Sequence, residues 1–157
     1  MKPPIQKTVL GVFLFSLLCI VTCFARTVSL WPYEKLVAEA DVVAIVEPVE
    51  SKPAQDAFPG YSYGHPTNHF TATDTRFKVH AVLKGDAMKE LTVLHFSYST
   101  NVSIIINGAS FIQFKQKQEC IAFLKRRSDG RFEPVTGHYD AAYSFRELHR
   151  ASYYAKP

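Results

Sequence analysis

The amino-acid sequence predicts a mainly β protein, an antiparallel barrel or sandwich with one short N-terminal helix. Short apolar or alternating runs recur between turn residues from 41 to 145, a spacing typical of six to eight strands. The stretch 119–137 has the pattern of a β-hairpin, and residues 33–40 have the pattern of an amphipathic helix. With 157 residues, the chain fits one domain rather than two.

The first elements after the N-terminal region are a helix and a buried strand. Pro32 suits the first turn of a helix, and the spacing over 33–40 places Leu36, Val37 and Ala40 on one face, which is expected to pack on a sheet. Residues 41–49 form an apolar run typical of a strand covered on both faces, and Pro48 predicts its end. The Pro/Gly/Tyr-rich stretch 51–68 follows. It predicts a long loop, and loops of this length in compact domains are commonly functional.

Further strands follow this loop. Residues 70–83 alternate between apolar and polar side chains, which predicts a half-buried antiparallel strand, and 91–98 predict its neighbour. The β-branched run 102–106 ends at Asn107-Gly108, a strong hairpin signal that predicts a returning strand at 109–114. Residues 141–145 predict a last strand.

The hairpin at 119–137 begins with five apolar residues from Cys120, so we expect this strand to be buried on both faces. Asp129 and Gly130 supply the turn, since Gly adopts positive φ without a Cβ clash. Pro134 lacks an N–H and predicts an edge or bulged return strand. Cys120 is predicted to be an inert buried thiol.

The N-terminus predicts an exported protein. Lys2 and Lys7 precede an apolar stretch that ends near Ala25, the pattern of a signal peptide (1–25) cleaved before Arg26. The remaining chain, 26–157, would then be a single periplasmic or secreted domain. An alternative is that residues 8–25 remain as a membrane anchor. A lipoprotein modified at Cys23 is disfavoured, because the preceding residue is not one of the usual small ones.

The charge of the chain excludes two classes of partner. Lys2 and Lys7 account for two of the 18 basic residues, so 16 remain against 14 acidic residues, a net charge of +2. That balance predicts no binding to nucleic acid, and contact with a membrane only through an uncleaved N-terminal segment.

Three runs give the chain a family resemblance: LVAEADVVAIVEPVE at 36–50, TRFKVHAVLKGD at 75–86, and the hairpin at 119–137. Their order resembles bacterial exported domains with a TIMP-like (netrin-module-like) OB barrel, which implies an OB-like barrel here. In metalloproteinase inhibitors of that superfamily, an N-terminal cysteine chelates the zinc of the protease. Here the expected N-terminus is Arg26, and the inhibitory cysteine and the disulfides are missing. The resemblance therefore implies a fold and leaves the ligand open.

Metal and catalytic patterns are weak. His65 and His69 lie four residues apart with Asp74 beyond, but Pro66 argues against a helix, so we favour solvated loop histidines over a metal site. His80 and His95 fall on predicted strands, where structural roles are favoured. The sequence contains no phosphate loop, dinucleotide fingerprint or CxxC pair, so it predicts no cofactor, no metal ligand and no catalytic residue.

Two groups of residues are candidates for ligand binding. The aromatic and imidazole side chains of the long loop are Tyr61, Tyr63, His65 and His69. The cations of the hairpin are Lys125, Arg126, Arg127 and Arg131. The cations could hold an anionic partner, although a solvated turn is the favoured interpretation, and Asp129 and Glu133 are expected to face water.

The functional hypothesis is a non-catalytic, exported binding or interaction module whose partner is an unknown protein or a small anionic ligand. One alternative is a protease-inhibitor-like module that acts without the N-terminal cysteine. A less favoured alternative is a metal-dependent enzyme that uses His65 and His69.

Overall fold

The computed structural model describes residues 30–59, 70–99 and 108–148. A short helix, α1, comes first, and a 3₁₀ helix precedes the last strand. The elements in order are α1 (Tyr33–Glu39), β1 (Val42–Pro53), β2 (Phe70–Lys84), β3 (Glu90–Tyr98), β4 (Cys120–Arg126), β5 (Phe132–Pro134), the 3₁₀ helix (His138–Ser144) and β6 (Phe145–Glu147).

Five of the strands close into a barrel. Neighbours follow the order β1-β2-β3-β5-β4, and β1 also pairs with β4, which completes the ring. All pairings are antiparallel except the single parallel pairing between Val93 in β3 and Phe132 in β5. β6 pairs with β4 at Cys120, Ile121 and Ala122, on the same edge of β4 that pairs with β5 further along the strand. The prediction of a mainly β, OB-like barrel is confirmed, and the closed ring distinguishes a barrel from a sandwich.

The barrel core and the helix bury β1 and β4 on both faces, as predicted. Inside the barrel, Val42, Val46 and Ala122 belong to one apolar cluster with Phe77 and other buried residues. On the outside, α1 packs across the same two strands, where Leu36 and Ala40 join Val43, Phe123 and Val135 in a second cluster. Val37, predicted on the same face of the helix, is instead 42% exposed. This double burial explains the unbroken apolar runs in the two strands.

Pro48 does not end β1, so that boundary prediction was wrong. The strand continues to Pro53, and a register shift falls between Pro48 and Glu50. The extra residue is Val49, which is 40% exposed. A β-bulge accommodates the proline because it interrupts the ladder at the point where a backbone N–H is missing.

Two further strand predictions were wrong. Residues 109–114 form no strand; the backbone N–H of Ala109 instead donates to Tyr98 Oη at 2.5 Å. Most of 141–145 belongs to the 3₁₀ helix, whose turn is fixed by Thr136, since its Oγ1 donates to the Asp140 carbonyl at 2.7 Å. The predicted strand at 102–106 and the turn residue Asn107 lie outside the described residues.

Pro134 is not on an edge strand, because β5 lies between β3 and β4. The pairing with β3 is confined to Phe132, two residues earlier, while Pro134 pairs with Leu124 of β4. Within 30–59, 70–99 and 108–148, no helix has the length and apolar character needed to cross a membrane. The predicted leader, 1–25, lies outside these ranges.

Candidate binding site at the hairpin tip

Arg131 joins the β4–β5 turn to the start of the β1–β2 loop. Its Nη1 and Nη2 donate to the two carboxylate oxygens of Asp56 at 2.8 and 2.7 Å, a bidentate pair. Nη1 also donates to Asp74 Oδ1 at 2.9 Å, and Nη2 to Asp129 Oδ2 at 2.7 Å. One guanidinium therefore binds three carboxylates from three separate segments, the arrangement for which a planar fork of donors is suited.

Arg127 extends this network toward the core. Its Nη1 donates to Glu133 Oε2 at 3.0 Å and its Nε to Asp129 Oδ2 at 3.2 Å. Glu133 Oε2 also lies 3.2 Å from Nε2 of His138, which is buried. We call Arg127, Arg131, Asp56, Asp74, Asp129 and Glu133 the tip network.

Hydrogen bonds in the tip network hold its groups in their charged forms. Donation from the Arg131 side chain and backbone keeps the pKa of Asp129 well below its usual range, and the Arg131 side chain also lowers the pKa of Asp56. The carboxylates of Asp56 and Asp129 raise the pKa of Arg131. Burial lowers the pKa of His138, against the opposing attraction of Glu133, so its imidazole is neutral at pH 7.

The tip network is acidic, not basic. Two arginines contribute +2 and four carboxylates contribute −4, so its net charge is −2 with His138 neutral. The other two cations of the predicted basic cluster are also paired: Lys125 with Glu39 at 3.7 Å and Arg126 with Asp86 at 3.1 Å. Each of the four cations therefore has a carboxylate partner, with which an anionic ligand would have to compete.

The two ends of the β1–β2 loop meet in an aromatic cluster. The backbone N–H of Ala54 donates to the Ala72 carbonyl at 3.0 Å, and the rings of Phe58 and Phe70 lie 4.3 Å apart. Phe58 also contacts Phe96. The described residues on either side of 60–69 are thus fixed to each other and to the barrel. Tyr61, Tyr63, His65 and His69 lie outside the described residues.

A cleft lies between the hairpin tip and the neighbouring strands. It has a volume of about 400 Å³ and is lined on one side by residues 129–132 and on the other by Arg76 of β2 and by Glu90 and Thr92 of β3. Arg76 is paired with Glu90 at 3.0 Å. The lining is mostly polar and charged, with both signs present, and includes the apolar residues Leu91 and Phe132.

A hydroxyl–imidazole chain lies in the barrel wall. Ser51 Oγ is 2.7 Å from Thr75 Oγ1, which is 2.8 Å from Nε2 of His95. Burial and, secondarily, the proximity of His138 lower the pKa of His95 to about 4. Thr75 has no exposed surface and His95 is 5% exposed, so this pair has the composition of a nucleophile and base but cannot reach a substrate.

The sequence pattern does not predict Asp56 and Asp74 as partners of the hairpin. Asp74 follows His65 and His69 in the weak metal pattern, but both its carboxylate oxygens accept from Arg131. Glu133, expected to face water, contacts Arg127 and His138. The sequence shows only a basic turn and two acidic residues near a loop. It does not show that they form ion pairs, because the pairing depends on the barrel topology.

Comparison of the chain with protein-family models and with curated protein sequences finds no match. The closed barrel is established by its strand pairings. Membership of the TIMP-like family remains a prediction from the three resembling runs.

Proposed function

We propose that this protein is an exported, non-catalytic binding module that recognises a protein partner through its β1–β2 loop and β4–β5 hairpin. The observation that carries the proposal is the contact of Asp56 with Arg131, which ties the two segments together. In OB barrels, these two connections flank the ligand-binding face formed by the second and third strands. The cleft beside Arg131 lies on that same face.

The composition of the β1–β2 loop supports recognition of a protein. Tyr61 and Tyr63 stand within it, and tyrosine supplies a large amphipathic contact surface at low cost in side-chain entropy. The contact of Phe58 with Phe70 gives the loop a rigid base. A loop held at its base loses less conformational entropy when it binds than a loop with free ends.

Electrostatics favour a protein over a small anion. The net charge of −2 in the tip network repels anionic ligands, and the arginines already satisfy their donors on carboxylates. A protein surface that offers lysine or arginine side chains complements this charge. The same surplus of negative charge disfavours binding of nucleic acid, because its phosphates need cations that are not already paired with carboxylates.

A non-catalytic role is supported by the state of the hydroxyl–imidazole chain. Thr75 and His95 are closed to solvent. Export is supported by the leader pattern at 1–25, with Lys2 and Lys7 ahead of its apolar run.

The proposal is tested by capture of partners from the exported fraction of the native host, with the purified full-length gene product as bait. One variant replaces residues 60–69 with a short Gly/Ser linker between Pro59 and Phe70, which leaves the base of the loop and β1 intact. A second variant carries Tyr61→Ser and Tyr63→Ser. Glu34→Gln, on the exposed side of α1, is the matched control. We expect both loop variants to lose a partner that wild type and the control retain.

Circular dichroism and thermal unfolding establish that each variant is folded. Purified partner is then titrated against each variant, with at least roughly a tenfold loss of affinity expected for both loop variants, equivalent to about 1.4 kcal/mol. Equal affinity in all four proteins would contradict the proposed site, and turnover of a captured molecule by the bait would contradict a non-catalytic role.

A further inference from the structure

Three side chains with metal-ligating atoms converge on the outer wall of the barrel, apart from the tip network. They are Glu47 of β1, His80 of β2 and Glu119, which directly precedes β4. Nε2 of His80 lies 2.9 Å from Glu47 Oε2 and 3.7 Å from Glu119 Oε1. One ligand atom from each residue lies within 4.8 Å of the other two.

Strand register explains why the two carboxylates meet. The antiparallel pairing of β1 with β4 ends at Val46 opposite Cys120, so the next step places Glu47 opposite Glu119. Ile45, two residues before Glu47, pairs with Ile121, two residues after Glu119, so all four residues lie on the same outer face. Like charges placed directly across a strand pair destabilise it, unless a cation lies between them.

His80 reaches this pair because β2 is bulged there. Ile45 pairs with Ala81 and Val46 with Val79, so His80 is the extra residue of β2. Bulges redirect a side chain, and this one directs the imidazole toward Glu47.

We propose that Glu47, His80 and Glu119 bind one divalent transition-metal ion of the zinc class, with water completing its coordination. Two donors on a tetrahedral zinc with bonds of about 2.0–2.1 Å lie roughly 3.3 Å apart, and the two imidazole–carboxylate separations bracket that value. One imidazole with two carboxylates is a ligand set that suits this class of ion. The ligand side chains are 18–30% exposed, so an ion can enter without unfolding of the barrel.

Isothermal titration of the full-length protein with zinc chloride, after treatment with chelator, tests the site. We expect one tight zinc site in wild type. His80→Gln and Glu119→Gln should each weaken it at least roughly tenfold, since loss of even outer-sphere partners costs about 10–100-fold in metal affinity. Glu50→Gln, which removes a carboxylate from the same strand, is the matched control and should bind zinc as wild type does.

Thermal unfolding supplies a second measurement. Saturating zinc should raise the melting temperature of wild type and of Glu50→Gln, and should leave those of His80→Gln and Glu119→Gln unchanged. The proposal is overturned if wild type binds no zinc, or if His80→Gln binds it as tightly as Glu50→Gln does. Loss of zinc only in His65→Ala or His69→Ala would also overturn it and would place the ion in the β1–β2 loop.

Discussion

At the residue scale, one guanidinium determines the charge of the hairpin tip. Arg131 alone would make the turn basic, but it collects Asp56, Asp74 and Asp129 around itself. Its side chain is 22% exposed, compared with 49% for Arg126, so the two cations have different environments although they are close in sequence. Partial burial strengthens the ion pairs of Arg131 and makes their loss more costly.

Replacement of Arg131 should therefore destabilise the protein far more than replacement of Arg126. Arg131→Ala leaves three carboxylates without their shared cation, and we expect a loss of about 1–3 kcal/mol in the free energy of unfolding. Arg126→Ala removes one exposed ion pair with Asp86 and a cation–π contact with the Phe132 ring, and should cost at most about 1 kcal/mol. Urea denaturation at low ionic strength measures both. Equal losses in the two variants would show that the tip network is no stronger than a surface pair.

His95 predicts a second effect, the dependence of stability on pH. Its pKa falls from the ordinary value of 6.5 to about 4 in the folded protein, chiefly through burial. The unfolded chain thus takes up a proton below pH 6.5 that the folded protein does not take up until about pH 4. Stability should fall as the pH falls through this window, by up to roughly 3 kcal/mol from this residue.

Urea denaturation at several pH values between 7.5 and 4 measures this slope. His95→Gln should have a shallower slope than wild type, whatever its stability at pH 7.5. His138, whose pKa is also lowered by burial, accounts for part of the slope that remains. A slope that is unchanged in His95→Gln would exclude His95 as its source.

At the element scale, the β2–β3 turn depends on a glycine that fits closely against the start of β1. Gly85 has φ of +98°, and a Cβ there would lie 2.8 Å from the Asp41 carbonyl oxygen. Gly130, in the β4–β5 turn, has φ of +85° with open space around it. The two glycines share a backbone requirement and differ in steric room.

This contrast separates backbone strain from steric overlap. Gly130→Ala should cost about 1–2 kcal/mol through its positive φ alone. Gly85→Ala adds a clash with backbone that cannot move without displacing β1, so we expect a cost larger by at least about 1 kcal/mol. Chemical denaturation of the two variants under identical conditions gives the difference. A smaller cost for Gly85→Ala would mean that the turn relaxes away from Asp41.

The elements that could be predicted from sequence are those fixed by local patterns. The hairpin at 119–137 needed only an apolar run, Asp129-Gly130 and a short return, all within twenty residues. The prediction of a strand at 109–114 was wrong because it also used only local patterns. A turn signal and β-branched residues do not show which strands are available for pairing. Backbone groups there bond elsewhere, including Ser110 N–H to the Tyr139 carbonyl at 2.8 Å. Local strand propensity is overridden where tertiary contacts supply other hydrogen-bond partners for the backbone.

At the scale of the whole molecule, barrel closure creates both candidate sites. The tip network joins Arg131 to Asp56, which is 75 residues away in sequence, and the Glu47–His80–Glu119 cluster combines residues of β1 and β2 with the residue that precedes β4. Neither could be predicted from sequence, since each depends on the order of strands around the ring and on the positions of bulges. The sequence does supply the types of residue and the rigid elements that carry them.

Cys120 reports on the integrity of that ring. It lies where β4 begins, opposite Val46 of β1, and is 4% exposed. Burial, with a smaller contribution from the negative charge of Glu147, raises the pKa of its thiol to about 12. Both effects suppress the thiolate, the reactive form, so a thiol reagent should modify Cys120 only when the β1–β4 seam opens.

The labelling rate of Cys120 should consequently follow global unfolding. With Cys19 and Cys23 replaced by serine, we expect negligible reaction with a thiol reagent in water and a rate that rises with urea in parallel with the unfolded fraction. Gly85→Ala in the same background should label faster, by about tenfold for each 1.4 kcal/mol of stability lost. The alternative result is a labelling rate that is the same in water and in urea and is unchanged by Gly85→Ala. That result would indicate that the β1–β4 seam opens locally while the rest of the barrel stays folded.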